Sequence, residues 1–293
     1  YKDPSMKVGE LDKNSLYDWE QWRRKEYNAV PVTIRNEQAT INQMMDFAYR
    51  NGYSHFPKFD FRKIKIARDD IGVRDVFTLE EYDRLVRYMR TYVSKKECPD
   101  DNLRAERLMV RDAVLIASNT MLRVGELWAL EWRDIVSIEE TVDENNLPVS
   151  LVHLEVRKEI SKVRSRRRVI SRGGEYFHRL KKNSQHTEPS DFLFASVNGR
   201  QQLNRRKWYL HWKHLMHGIG IDNYAERKLT WYSLRHFGIT CRIRAKVPLA
   251  DISKIAGTSV SHIETHYGHY DDDMLKSTAL KNFTVTASGI AVT

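Results

Sequence analysis

Gly257-Thr-Ser-Val-Ser-His-Ile-Glu-Thr-His-Tyr267 carries a helix stop, a helix start and, one short helix later, a tyrosine. Glycine tolerates the left-handed turn that closes a helix, and a serine two positions on offers its hydroxyl to the free N–H groups of the next one. Upstream, Pro248 suits a first helical position. The spacing therefore predicts helices over Pro248 to Ala256 and Ser259 to His266, with Tyr267 on or just after the second.

Working outward, Leu203 to His217 and Ser233 to Ala245 also show helical periodicity. Further back, Thr78 with Glu81 forms a capping-box pattern, and Leu79, Tyr82, Leu85, Val86, Met89 and Val93 trace one apolar stripe. Helices are predicted over Leu103 to Ser118 and from Val124 onward. The period changes in between: Val152, Leu154 and Val156 alternate with His153, Glu155 and Arg157, as in a half-buried strand, and a hairpin returns through Arg168, Val169 and Ile170.

In the first part of the chain, Ile34, Ile41, Met44, Met45 and Ala48 recur at helical spacing from Thr33, read as the N-cap, to Asn51, with Gly52 as the stop. The aromatic and basic run His55 to Ile66 and the charged stretch Arg68 to Asp75 follow neither period, which places a domain boundary near Arg74. The expected architecture is a small helical domain over 1–73 and a larger domain over 74–293, mainly α with a small β-sheet. A chain that begins at Tyr1 with no clear domain start is expected to be a piece of a longer protein.

With 293 residues, 41% hydrophobic and 30% charged, the chain has enough apolar surface for real cores, and neither disorder nor a membrane-spanning protein is expected. Forty-nine Lys and Arg against 39 Asp and Glu leave a net charge of +10, which favours a polyanionic partner through counterion release. Cys98 and Cys241 are the only cysteines, so no disulfide framework or thiolate metal site is expected, and a reducing cytoplasm fits. His262 and His266 have the spacing of a helical zinc pair, but Ile263 stands where such motifs carry glutamate, and no third ligand declares itself. Gly218-Ile-Gly220 follows no strand and opens no helix, which argues against a nucleotide loop.

Two further stretches carry chemistry. Thr120-Met-Leu-Arg123-Val-Gly-Glu126-Leu-Trp-Ala-Leu130 sets an arginine at a helix entrance, where free backbone donors already favour an anion. Leu229-Thr-Trp-Tyr232-Ser-Leu-Arg235-His236-Phe-Gly-Ile-Thr240 holds a second arginine. These two boxes, the hairpin lysine Lys162 and the Gly257 to Tyr267 spacing together resemble the tyrosine recombinases, the phage-integrase family, and among them bacterial prophage integrases. The resemblance is strong over Thr78 to His269 and weak before it.

The resemblance implies a two-domain tyrosine recombinase, with a helical core-binding domain before the catalytic one. Tyr267 would attack a DNA phosphodiester, Arg123 and Arg235 would hold the phosphate and absorb its developing charge, and Glu126 would support them. Lys162 would protonate the leaving 5′ oxygen, with Lys158 a live alternative. A 3′-phosphotyrosine link would conserve the bond energy, so neither ATP nor a metal nor any other cofactor is implied. Partners would be double-stranded DNA attachment sites, three further copies of the chain in a tetramer, and accessory DNA-bending proteins, in a bacterial cytoplasm at the nucleoid. The tail, with Met274, Leu275, Leu280 and Phe283 at roughly helical spacing, resembles the segment by which such recombinases dock onto a neighbour.

Two positions depart from the family's pattern. Tyr232 stands where the first histidine of the second box belongs, and Thr258 occupies a place usually held by histidine or tryptophan. A phenol with a pKa of about 10 stays protonated at neutral pH, so both residues read as hydrogen-bond donors to the phosphate. His236 is expected to point elsewhere, as a packed structural residue, because it neighbours Arg235 on a helix. The run Arg164, Arg166, Arg167 and Arg168 reads as a solvated, DNA-contacting stripe. Competing readings are a DNA-binding protein on an inactive integrase fold, a type IB topoisomerase-like enzyme acting without site preference, and a zinc hydrolase.

Overall fold

The computed structural model describes residues 5–66, 75–267, 284–286 and 289–291. The chain separates into two compact units, Tyr1–Val73 and Arg74–Thr293.

In the first unit, α1 (Trp19–Tyr27) and α2 (Pro31–Arg50) pack together, with Ile34 fully buried. α2 starts earlier than Thr33: Pro31 takes the first turn, where a missing N–H costs nothing, and Val30 precedes it as the cap. Arg23 on α1 reaches Glu37 on α2 (Nε–Oε2 2.8 Å) and lies over the ring of Tyr27 at 4.6 Å. The aromatic and basic run that lacked periodicity folds back on α2, where the Asn42 side chain accepts from the Phe59 N–H at 2.8 Å.

The second unit opens with α3 (Leu79–Tyr92), capped by Thr78 and Glu81, and continues through α4 (Asp101–Thr120) and the single turn α5 (Val124–Trp128). A three-stranded antiparallel meander follows, β1 (Ile135–Val142), β2 (Pro148–Val156) and β3 (Arg167–Arg172), in the order β1-β2-β3. The hairpin of β2 and β3 is the one expected, with Val152, Leu154 and Val169 turned inward. β1 was not legible in advance. Its burial runs exposed at most positions, so it has no apolar alternation to reveal it.

Helices return with α6 (Gly174–Asn183), α7 (Arg205–Gly218), α8 (Trp231–Arg244), α9 (Leu249–Ala256) and α10 (Val260–Tyr267). Pro248 is the residue before α9, not its first. A hairpin of β4 (Thr284–Thr286) and β5 (Gly289–Ala291) lies near the chain end. The tail residues Met274, Leu275, Leu280 and Phe283, read as a docking segment, lie outside the described residues.

An aromatic cluster joins the elements that bear the two arginine boxes. Trp128 at the end of α5 stacks on Trp208 of α7 (5.5 Å between centroids, 12° between planes), and Trp208 meets Trp231 edge-on at 4.9 Å. Two of the indoles are hydrogen-bonded: Trp231 donates to the Trp208 carbonyl at 3.1 Å and Trp212 to the Leu229 carbonyl at 3.0 Å. Bonds to both sides of Thr230, the N-cap of α8, thus hold the start of that helix. α8 then crosses α4 closely at Gly238, where a Cβ would lie 2.2 Å from the Ser118 carbonyl oxygen.

A second, smaller cluster of Met121, Ile239, Ile252, Ala256 and Ile263 fastens α9 and α10 onto α8, with Tyr267 packed against it. Ile263 is fully buried and lies one helical turn before Tyr267, on the same face of α10.

Candidate active site

The C-terminal end of α9 is the anchor of the site. Its last carbonyls have no partners within the helix, and three arginines take them in succession. Arg167 Nε donates to Ile255 O at 3.3 Å, Arg235 Nη1 to Ala256 O at 2.7 Å, and Arg123 Nη2 to Gly257 O. Cations also suit this end of the helix dipole. Arg235 Nη1 further donates to Met121 O at 2.6 Å, the carbonyl just past α4, so one guanidinium closes the ends of two helices.

One carboxylate balances this cluster. Glu126, only 1% exposed, receives Arg123 Nη1 on Oε1 at 2.8 Å and accepts the Arg123 N–H on Oε2 at 3.0 Å. Arg167 approaches the same carboxylate with both nitrogens, Nη1–Oε1 at 3.0 Å and Nη2–Oε2 at 2.6 Å. Burial pushes the Glu126 carboxyl up, but the hydrogen bonds and charge of Arg167 and Arg123 outweigh it and hold the group below the usual carboxylate range. Arg235 is also held below the ordinary arginine value: burial lowers its affinity for a proton, and Arg123 adds to that, although Tyr232, Tyr267 and Glu126 oppose it. The cluster therefore holds three guanidiniums against one carboxylate and carries a net positive charge.

Gly257 is required here twice over. Its φ of 64° lies in the left-handed region, and a Cβ would sit 2.6 Å from Arg167 Cζ. Thr258 follows, its N–H bonded to Ser253 O at 3.1 Å, and Ser259 caps α10 by accepting from the His262 N–H at 3.1 Å.

Tyr267, the last residue of α10, arrives at α8. Its hydroxyl shares a hydrogen bond with His236 Nδ1, and the two rings are 5.2 Å apart. This corrects the expectation that His236 points away. Adjacent residues on a helix do diverge, and Arg235 goes to the interior carbonyls, but Tyr232 and His236 are four apart and share a face. Their rings meet edge to face at 4.8 Å, and Arg235 Cζ lies 5.9 Å from the Tyr232 ring centre.

The basic run divides. Arg167 is not part of a solvated stripe, because it faces inward with Val169 and is held by Glu126. Arg164, Arg166 and Arg168 are exposed, and Arg166 pairs with Glu155 at 2.5 Å. Lys162 sits in the exposed segment between β2 and β3, as does Lys158, and neither enters the arginine cluster among the described residues. Period-two alternation counted back from Val169 was the signal that separates Arg167 from its neighbours. Of the histidine pair, His262 is exposed, and the side chain of His266 lies outside the described residues.

Two arginine boxes, a hairpin and a terminal tyrosine thus converge around one helix end. The model of the phage integrase family matches residues 75–274, more than half of the chain. The chain belongs to the phage integrase family. It is by that membership a tyrosine site-specific recombinase. Solved structures agree in fold. The XerH site-specific recombinase in a post-cleavage complex with a palindromic difH substrate aligns with a TM-score of 0.63 at 16% identity, covering 92% of this chain and 72% of that one. The Tn1549 transposon integrase in complex with circular intermediate DNA aligns with a TM-score of 0.60 at 17% identity, covering 94% and 87%. A search of curated proteins gives no match.

Proposed function

We propose that this integrase cuts and rejoins double-stranded DNA at specific sites, with Tyr267 as the nucleophile. The observation that carries the reading is the convergence just described: the Tyr267 hydroxyl, brought by α10 to His236 next to Arg235 on α8, with Arg123 and Arg235 fastened to consecutive carbonyls at the end of α9. Such a cluster is preorganised for a phosphate, because its guanidiniums are held by protein before any substrate arrives and need little rearrangement in the transition state. Each guanidinium has five N–H donors, more than the protein carbonyls and Glu126 take up, which leaves capacity for phosphate oxygens.

In the proposed reaction Tyr267 Oη attacks the phosphorus, the bond to the 5′ oxygen breaks, and a 3′-phosphotyrosine forms. Lys162, on a hairpin segment able to follow a DNA groove, supplies the leaving-group proton. Tyr232 and Thr258 donate hydrogen bonds to the phosphate. Arg164, Arg166 and Arg168 contact the DNA backbone and contribute affinity and salt dependence, together with the net charge of +10. The two solved recombinases above are both complexes with DNA, which supports the same partner here. The first unit would serve as a core-binding domain, and four copies on two sites of a mobile element, at the nucleoid and with bending proteins, would complete an exchange.

The test is covalent trapping on nicked suicide duplexes made from the DNA flanking the gene. Wild-type protein is expected to form an adduct that survives denaturation, and Tyr267→Phe is expected to bind the same duplex and form none. An adduct with Tyr267→Phe would remove Tyr267 from the role. Binding without an adduct on every duplex would favour an inactive fold, and relaxation of a plasmid without any such site would favour a topoisomerase-like enzyme.

A further inference from the structure

The reaction above leaves the proton of Tyr267 without an acceptor. The place where the family pattern carries a histidine holds Tyr232, and Thr258 has no basic nitrogen. An unperturbed phenol of pKa about 10 is a poor base at neutral pH, whereas an unperturbed imidazole, with a pKa of about 6.5, is mostly neutral there and has a free lone pair.

We infer that His236 Nδ1 accepts the proton of Tyr267, one helical turn beyond the position where the family pattern places its histidine. This rests on the reading of Tyr267 as nucleophile. A general base must lie within hydrogen-bond reach of the proton it removes, and the Tyr267 hydroxyl and His236 Nδ1 are bonded to each other. With that hydroxyl donating, His236 is the tautomer with its proton on Nε2.

The surroundings hold this arrangement. Helix α8 is anchored at its start by the Trp231 and Trp212 hydrogen bonds, which sets the height and rotation of His236 above it. Tyr232 packs on the His236 ring from one turn below, and Tyr267 meets it from α10. Among the described residues, Arg235 precedes His236 on α8, and Arg123 and Glu126 lie within electrostatic reach of Arg235. The net positive cluster favours the anionic phosphate as it binds.

The protons and bonds balance. The Tyr267 O–H bond breaks and its proton passes to His236, the Oη–P bond forms, the P–O5′ bond breaks, and the 5′ oxygen leaves as a hydroxyl with the proton of Lys162. On rejoining, a 5′ hydroxyl attacks phosphorus, Lys162 takes its proton, and the His236 imidazolium returns a proton to the departing Tyr267.

Single-turnover adduct formation on a nicked duplex that the wild-type protein cleaves tests this, with a second duplex carrying sulfur at the bridging 5′ position. A thiol, with a pKa of about 8.5, leaves without protonation, so the sulfur duplex bypasses the proton donor but not the base. His236→Gln is expected to bind normally and to cleave at least about 100-fold more slowly on both duplexes, the scale of general-base catalysis. Lys162→Ala is expected to recover on the sulfur duplex. Cleavage by His236→Gln within about threefold of wild type on the oxygen duplex, or its recovery on the sulfur one, overturns the inference.

His236→Asn keeps a side-chain oxygen near the place of Nδ1 and should be as slow, since an amide accepts a hydrogen bond but not a proton. Wild-type speed from it would reduce His236 to a positioning residue. Should both variants misfold, the wild-type rate on the sulfur duplex must fall as acid protonates a histidine base, and a rate that stays level into acid overturns the assignment. Tyr267→Phe separates the two readings: an adduct from it sinks the nucleophile, whereas wild-type speed from His236→Gln sinks only the base.

Discussion

The arginine cluster and the β2–β3 hairpin segment are both basic, yet they are built on opposite terms. Arg123, Arg167 and Arg235 are enclosed and occupy three consecutive carbonyls at the end of α9, and Arg123 and Arg167 share Glu126. Lys162, Arg164, Arg166 and Arg168 stand in solvent around the same hairpin. A charge removed from water needs the fold to replace its hydration, so the cluster is part of the architecture and fixed in place. The hairpin charges keep their water until a partner displaces it. Placement is thus completed by folding in the cluster, whereas the hairpin charges are the ones proposed to meet DNA.

The sharpest way to break that contrast is at Arg235. Arg235→Ala removes a proposed phosphate donor and also leaves the Met121 and Ala256 carbonyls unpaired in the interior. Losing one preorganised donor costs about 100- to 1000-fold in rate, and each buried unpaired carbonyl about 1–3 kcal/mol. Cleavage is expected to fall at least 1000-fold, to about the floor of detection, with a clear drop in melting temperature. Arg235→Lys restores charge but not the planar fork, so adduct formation should remain deeply impaired. A lysine variant with wild-type kinetics would show that charge alone suffices.

Lys162→Ala is the counterpart on the hairpin. Loss of a proton donor should slow cleavage by about 100- to 1000-fold while leaving the melting temperature unchanged, because an exposed side chain holds up nothing. If Lys158→Ala showed this pattern in its place, the donor would be Lys158.

How much of this was legible beforehand follows the same division. Helices whose ends are marked by local chemistry, such as Thr78 with Glu81, or Gly257 with Ser259, were read from residues alone. Arg123, Arg235 and Tyr267 were found because their spacing matches a family pattern. What the sequence hid were long-range pairings. Nothing local says that Glu126 meets Arg167, 41 residues away, or that Tyr267 meets His236, 31 residues away. β1 was missed because an edge strand with one partner and little buried surface carries no alternation. His236, however, was within reach: comparing it with Tyr232 one turn away, instead of with adjacent Arg235, puts it on the reactive face.

Glu126 tests whether the enclosed cluster is held by its counter-ion. Glu126→Gln keeps the shape and the acceptor oxygen but leaves Arg123 and Arg167 without a balancing charge, and should cost about 2 kcal/mol at neutral pH. The carboxyl titrates lower in the folded protein than its ordinary 4.5, so its contribution is fully present above that value. It is lost as pH falls through the lower, folded value. The stability gap between wild type and Glu126→Gln, read from urea melts, is expected to be constant near neutrality and to close in acid, below the ordinary value of 4.5. A gap that widened in acid would mean Glu126 is not the charged partner of the arginines.

The smallest expected effect separates two adjacent residues. Arg166 and Arg167 differ by one position and by which region they belong to: Arg166 is largely exposed and pairs with Glu155, while Arg167 faces inward against Glu126 and Gly257. Arg166→Ala should leave melting temperature and single-turnover cleavage at saturating DNA unchanged, and reduce the salt dependence of DNA binding by about one phosphate contact, a slope change of about 0.9. Arg167→Ala should do the reverse, lowering stability and cleavage with little change in the salt slope, because a guanidinium bonded inward to Glu126 and the Ile255 carbonyl does not stand at the surface to displace counterions from DNA. If the two variants behaved alike, the inward and outward faces of the hairpin would not be distinct, and the division between a prebuilt clamp and a DNA-completed arm would fail at its boundary.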